Sequence, residues 1–261
     1  MNKIALITGA SGGIGYEFAK LLAKNNYDLV MVARNKEKLL EKKEELVNNY
    51  KINVKVIVKD LSLKDSPKEI YEEIKLDGIN IDTLINNAGF GTFGEYTTVP
   101  FERQKSLVDV NVVAVMQLCY LFANDMKKKR EGKILNVASI AAFQPGPYMS
   151  MYYASKAFIL SFTESLNKEL KKYNINVTAL CPGPVKTNFE SNAQMVNSKM
   201  FKILSVADPT VVAEKGYKAL LKNKAFIVPG FSNKLLTFLN RLCSRKFVRT
   251  LSCYVNIGEF K

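Results

Sequence analysis

"KIALITGASGGIG", residues 3–15, decides the fold. Ile4 to Ile7 form a short apolar run that reads as a buried strand, and Thr8 leads into a turn with glycines at 9, 13 and 15. A helical pattern begins at about residue 13. Glycines at these positions allow a tight turn, close approach of the backbone to a pyrophosphate, and tight packing of helix on strand. The free N–H groups and positive dipole end of the helix then face the phosphates. A glycine-rich turn alone is a weak signal. Between a strand and a helix, inside a βαβ unit, it points to a dinucleotide.

Outward from this unit the same alternation continues. "KIALIT" (3–8), "DLVMVA" (28–33), "NVKVIV" (53–58), "DTLINN" (82–87), "KILNVA" (133–138), "NVTALC" (176–181) and "AFIVP" (225–229) read as short buried strands. Helix-length segments lie between them, near 13–25, 36–50, 64–76, 103–130, 150–173 and 208–222. The pattern predicts an α/β fold, a doubly wound parallel sheet of about seven strands with helices on both faces. Residues 1–230 make one domain, and 231–261 form a helical extension. "NVVAVMQLCYLFA" (111–123) is apolar nearly all round, which predicts a helix buried between the sheet and another helix or subunit.

A chain of 261 residues, 48% hydrophobic and 24% charged, fits one such domain. The N-terminus reads as a strand rather than a signal peptide, and no stretch approaches 18 consecutive apolar residues. Cys119, Cys181, Cys243 and Cys253 form no CxxC pair, and histidine is absent, so no metal site is expected. Reduced thiols in a cytoplasmic protein are the simplest account.

"MYYASKAF" (151–158) sets two tyrosines before a lysine. On a helix, positions four apart share a face, so Lys156 selects Tyr152, and Tyr153 points about 100° away. A neighbouring ammonium favours the phenolate and predicts a lowered phenol pKa, suited to proton transfer near neutrality. At the end of the second strand stand Ala33 and Arg34 with no carboxylate. A carboxylate there binds the 2′-hydroxyl of NAD, whereas an arginine accommodates the 2′-phosphate of NADP. Arg34 therefore favours NADP(H).

With "TGASGGIG", "NNAG" (86–89), Asn111, Ser139 and "YYASK" (152–156) in this order and spacing, the chain resembles the short-chain dehydrogenase/reductase family from Lys3 to about Thr187. The resemblance implies a Rossmann-type fold and a catalytic set of Ser139, Tyr152, Lys156 and Asn111. Tyr152 would protonate the substrate oxygen and Ser139 would hydrogen-bond it. Lys156 would hold the nicotinamide ribose and, with the positive nicotinamide, lower the Tyr152 pKa. Asn111 would anchor a water that relays protons to Lys156. The implied cofactor contacts are Gly9, Ser11, Gly13, Ile14, Gly15, Arg34, Asp60, Leu61, Asn87, Ala88, Gly89, Tyr152, Lys156, Pro182, Gly183, Val185 and Thr187. Gly12 departs from the pattern, because some NADP-preferring members place a basic residue there. The family usually forms dimers or tetramers through the helices near 103–130 and 150–173.

Three segments, 90–96, 140–150 and 188–201, are expected to line the substrate side. They supply Phe90, Phe93, Phe143, Tyr148, Met149, Phe189, Met195, Met200 and Phe201, with no arginine or lysine in the first two. An apolar ketone or secondary alcohol (steroid-like, acyl-chain or aromatic) fits that composition. Residues 188–201 read as a lid that orders on binding. The rival reading is a nucleotide-binding regulator or scaffold on the same fold, and the complete catalytic set argues against it.

The net charge is +14 and the pI about 9.5. Residues 222–261 carry eight cations against Glu259 alone, half of the net excess. Within them, 233–255 reads as a basic amphipathic helix with Leu235, Leu236, Leu239, Leu242, Phe247, Val248 and Leu251 at helical spacing. Such a helix can lie on an anionic bilayer, on its own domain or on a second subunit. No recognition motif for nucleic acid accompanies the charge.

Overall fold

The computed structural model describes residues 2–187 and 206–257. Seven strands form one parallel sheet: β1 Ile4–Thr8, β2 Asp28–Ala33, β3 Val54–Val58, β4 Thr83–Asn86, β5 Gly132–Val137, β6 Ile175–Leu180 and β7 Phe226–Ile227. Their order is β3-β2-β1-β4-β5-β6-β7. Each predicted strand is present, within a residue or two of its expected ends. The connecting helices are α1 Gly13–Lys24, α2 Lys36–Tyr50, α3 Ser66–Leu76, α4 Phe101–Val108, α5 Ala114–Lys129, α6 Ser150–Leu170 and α7 Pro209–Leu221. Two more, α8 Phe231–Leu239 and α9 Arg245–Ile257, follow the last strand.

Both faces of a parallel sheet must be covered, and the strand side chains divide accordingly. Leu6, Val30, Val32, Leu84, Ile134 and Val177 face one buried cluster with Phe122 and Met126 of α5. Ile7, Leu29, Met31, Ile85, Leu135 and Leu180 face the other, with Phe18 and Leu22 of α1. Phe18 and Phe122 are fully buried, each stabilising the fold by about 1.5–3 kcal/mol. Local signals fix the helix ends. The Asn35 side chain accepts from Lys38 N at 2.8 Å to start α2, and Lys51 closes it with φ +54°. Asp208 caps α7 by accepting from Thr210 N at 2.7 Å, with Pro209 following.

Three expectations need correction. The helix near 103–130 is interrupted, because Asp109–Val113 is a π-helical turn holding Asn111. The segment is not buried all round either. Leu118, Cys119 and Phe122 are buried, but Val113, Met116 and Tyr120 are exposed. By length and composition Phe101–Lys129 could cross a membrane, yet here it is the core helix that packs on α3 and β5. Finally, the extension is two helices separated at 240–244, not one. Leu236 and Val248 turn inward, while Leu235, Leu239, Leu242 and Phe247 face solvent.

Candidate active site

The strand order reverses between β1 and β4, which opens a crevice at their C-terminal ends. The two strand ends are locked together there. Thr8 Oγ1 accepts from the backbone N–H groups of Asn87 and Ala88, each at 3.0 Å. Asn87 Nδ2 donates to the carbonyls of Thr8 and Gly9 at 3.0 and 3.2 Å. Gly9 and Gly13 have φ of +67° and +54°, so an L side chain at either would be strained. A Cβ on Gly15 would lie 2.3 Å from the Gly9 carbonyl oxygen. Gly15 therefore lets α1 close on the turn and does not itself reach the cleft wall.

A continuous cleft of about 1190 Å³ runs across this end of the sheet. Sites for a single drug-sized ligand hold roughly 300–1,000 Å³, so this one has room for a dinucleotide and a second molecule. Of the predicted cofactor residues, all except Gly15 line it: Gly9, Ser11, Gly13, Ile14, Arg34, Asp60, Leu61, Asn87, Ala88, Gly89, Tyr152, Lys156, Pro182, Gly183, Val185 and Thr187. No side chain caps the N-terminus of α1, and a Cβ on Gly12 would meet nothing within 4 Å. The cradle is thus backbone N–H groups on an open floor, which fits a pyrophosphate. At its far end the Arg34 side chain is 73% exposed, its guanidinium 3.9 Å from Asp60 Oδ2. The other Asp60 oxygen accepts from Ser62 N and Oγ, both at 2.9 Å. Asn35, Lys38 and Lys59 line this end as well. They went unnoticed in the sequence, where Lys38 and Lys59 look like ordinary surface lysines.

At the other end α6 presents Tyr152 and Lys156 on one face. Lys156 Nζ donates to Val137 O at 2.8 Å and lies 5.7 Å from the Tyr152 ring centroid. Ser139 follows β5 and N-caps a short 3-10 turn, its Oγ accepting from Ala141 N at 3.1 Å. The phenol departs from expectation in one respect. Burial pushes the Tyr152 pKa up, and a hydrogen bond with Ser139 offsets this only in part. Burial depresses the Lys156 ammonium as well, to about 8. Tyr152 is therefore a protonated donor at neutral pH.

Asn111 is buried behind the cleft rather than on its wall. It accepts from Phe90 N at 3.1 Å and donates to Phe90 O at 3.0 Å and Ser155 Oγ at 3.2 Å. Both amide protons are thereby used, and the direct partners of the side chain are Phe90 and Ser155. Asn111 fixes the turn after β4. A Cβ on Gly89 would meet Asn111 Oδ1 at 3.0 Å and Lys156 Nζ at 3.5 Å, so only glycine passes freely between them.

The substrate wall differs most from the sequence reading. Phe90 and Met149 line the cleft as expected. Phe93 packs with Ala141, Met149 and Tyr153, and Phe143 packs on Phe226 at 6.0 Å between centroids. Tyr148 sits in a left-handed turn, φ +64°, and is not among the lining residues. Phe189, Met195, Met200, Phe201 and the expected lid lie outside the described residues. Among the described residues the wall also takes in Leu236, Asn240, Val248, Leu251, Ser252 and Val255 of the C-terminal segment, with Arg103 and Gln144. Tyr153, unassigned from the sequence, bolts this wall on. Its hydroxyl donates to Asn256 Oδ1 at 3.1 Å, and Asn256 Nδ2 donates to Pro147 O at 2.8 Å. A Cβ on Gly146 would lie 2.3 Å from the Tyr153 ring, so that glycine makes room for the bolt.

Residues 3–197 match the family model described as short chain dehydrogenase. The chain belongs to the short-chain dehydrogenase family. Among its relatives, the 7beta-hydroxysteroid dehydrogenase of Mediterraneibacter gnavus is 34% identical over 182 residues, 70% of this chain and 68% of that protein. In fold, this short-chain dehydrogenase matches the bulky-bulky ketone specific alcohol dehydrogenase from Comamonas testosteroni with a TM-score of 0.79 at 28% identity, covering 92% of this chain and 91% of the other. It matches the short-chain dehydrogenase from Sphingobium yanoikuyae in complex with NADPH with a TM-score of 0.82 at 26% identity, covering 92% and 93%. The protein is accordingly an NAD(P)-dependent oxidoreductase acting on CH–OH and carbonyl groups.

Proposed function

We propose that this short-chain dehydrogenase uses NADP(H) to interconvert an apolar ketone and its secondary alcohol, with Tyr152 as the acid and base. The carrying observation is that Ser139, Tyr152 and Lys156 line one cleft together where the glycine cradle meets an apolar wall. The cofactor, when bound, supplies or accepts the hydride at the substrate carbon. Hydride arrival leaves charge on the substrate oxygen. Ser139 Oγ and Tyr152 Oη are preorganised to meet that charge, and Tyr152 gives up its proton. Burial keeps the phenol loaded with that proton at neutral pH, which suits reduction. Lys156, held near neutrality, holds the next proton four residues along the same helix face. Asn111 acts by positioning Phe90 and Ser155.

Arg34, with Lys38 and Lys59 nearby, suits a 2′-phosphate, and the Sphingobium relative was solved with NADPH. Leu236, Val248, Leu251 and Val255 suit a bulky apolar body, and the relatives named above act on a hydroxysteroid and on bulky ketones. Four free thiols fit a cytoplasmic setting. Exposed Val113, Met116, Tyr120 and Phe158 on α5, α6 and the π turn support a subunit contact there.

The test is nicotinamide absorbance with NADPH and NADH in parallel, over steroid, aromatic and acyl-chain ketones, with Tyr152→Phe as control. Turnover with NADPH that disappears in the variant is expected. Turnover surviving in Tyr152→Phe removes the proposed acid. A preference for small polar ketones removes the substrate class, and a preference for NADH removes the argument from Arg34.

A further inference from the structure

The C-terminal helix α8 is inside out. Its polar residues Asn233 and Thr237 are buried, and Asn233 Nδ2 donates to Pro229 O at 2.8 Å. Phe231, Leu235, Phe238 and Leu242 recur at spacings of four, three and four residues and all face solvent, Phe231 being 83% exposed. Leu239 and, from α9, Phe247 are exposed as well. A helix in water normally turns such a stripe toward the core. Five cations accompany it, Lys234, Arg241, Arg245, Lys246 and Arg249, and residues 231–257 contain no carboxylate side chain.

We propose that the outer face of α8 and α9 is a docking surface for an anionic lipid bilayer. An apolar stripe joined to an acid-free basic surface matches the acyl boundary and negative headgroups of such a membrane. A second copy fits badly, since packing this face on itself would set five cations against five. The surface also lies at the cleft. The inner side of the same two helices, with Asn240 between them, contributes Leu236, Val248, Leu251, Ser252 and Val255 to its wall. Docking would bring the cleft rim to the phase in which apolar ketones dissolve. The inference goes beyond the reading of the reaction and does not depend on it.

Co-sedimentation of the full chain with vesicles tests it, using phosphatidylcholine alone and phosphatidylcholine containing phosphatidylglycerol. Two variants accompany the wild type: Phe231→Ser/Phe238→Ser/Leu242→Ser, and Arg241→Gln/Arg245→Gln/Lys246→Gln/Arg249→Gln. None of these residues lines the cleft. Thermal unfolding and NADPH binding report that each variant is folded. The wild type should bind the anionic vesicles, release in high salt, and bind neutral vesicles weakly. The charge variant should lose affinity for anionic vesicles on the order of a thousandfold. The apolar variant should lose affinity for both kinds. Absence of binding, or binding that neither variant weakens, overturns the proposal. So does a wild-type dimer that becomes monomeric in the apolar variant, since a second copy would then cover the stripe.

Discussion

Asn256→Ala should loosen the last wall of the substrate cleft without disturbing the sheet. Asn256 is fully buried, and its amide holds the Tyr153 hydroxyl at 3.1 Å and the Pro147 carbonyl at 2.8 Å. Truncation leaves both partners unsatisfied, at about 1–3 kcal/mol each. Gln144 also reaches the Tyr153 phenol, which places the total toward the lower half of that range, about 2–4 kcal/mol. The contact is insensitive to pH over the usable range, because burial pushes the phenol up to about 12. Since α9 is joined to the rest by the break at 240–244, the loss falls on its local docking rather than on global stability. Hydrogen exchange of the amides in 245–257 should then accelerate roughly thirty- to a thousandfold, with the sheet unchanged. KM for an apolar ketone should rise while the Kd for NADPH stays within about twofold. Tyr153→Phe should reproduce part of the effect, and the double variant should fall short of the sum by about 1–2 kcal/mol. Exchange in α9 within twofold of wild type would refute the reasoning, and so would acceleration spread evenly through the sheet.

Tyr152→Phe should reduce turnover by about 10²–10⁴-fold with NADPH binding retained, as read by single-turnover kinetics and fluorescence titration. Arg34→Ala should weaken NADPH about 10- to 100-fold and leave NADH nearly unchanged, so equal losses for both would detach Arg34 from the phosphate. Lys156 carries a pH signature in stability. Its folded value near 8 lies below its ordinary 10.5, so between the two the unfolded chain binds more protons and stability rises with pH. The penalty is complete below about 8 and gone above 10.5, and amounts to about 3 kcal/mol. Urea unfolding of Lys156→Met should therefore show a stability advantage over wild type near neutrality that shrinks as pH rises through this window. The difference between the two proteins is the quantity to read, because buried Cys119, pushed up to about 12, lowers stability over the alkaline range in both. A difference independent of pH would contradict the assignment. Gly15→Ala should abolish dinucleotide binding measured by titration, since its Cβ would sit 2.3 Å from the Gly9 carbonyl oxygen.

The sheet and the dinucleotide cradle were legible because their signals are local. Strand, glycine turn and helix stand next to one another from Ile4 to Lys24, and each βα unit repeats that logic. Tyr152 was separable from Tyr153 by helical register alone. What stayed hidden depends on distance along the chain. Tyr153 meets a partner 103 residues away, and nothing local to either residue announces it. Phe93 and Phe143 sit in the loops that were expected to face substrate, yet each finds its own protein first. The burial of Lys156 was equally invisible, and with it the upward shift of the Tyr152 phenol and the downward shift of the Lys156 ammonium. The π turn at Asp109–Val113 consists of weak helix formers, Asp, Asn and three valines, but that composition does not separate a π turn from an α-helical one.

The order in which the chain leaves the ribosome gives the α8–α9 wall a particular standing. Every element that cradles a dinucleotide is complete by Thr187, and the last side chains of the substrate wall are translated only at Leu251, Ser252 and Val255. A frameshift or stop codon after Pro229 would leave a gene product able to grip a nucleotide but open on its substrate side. The same division gives heritable change a lever. Alterations confined to the last codons can reshape this wall while the nucleotide cradle, encoded upstream, is inherited intact.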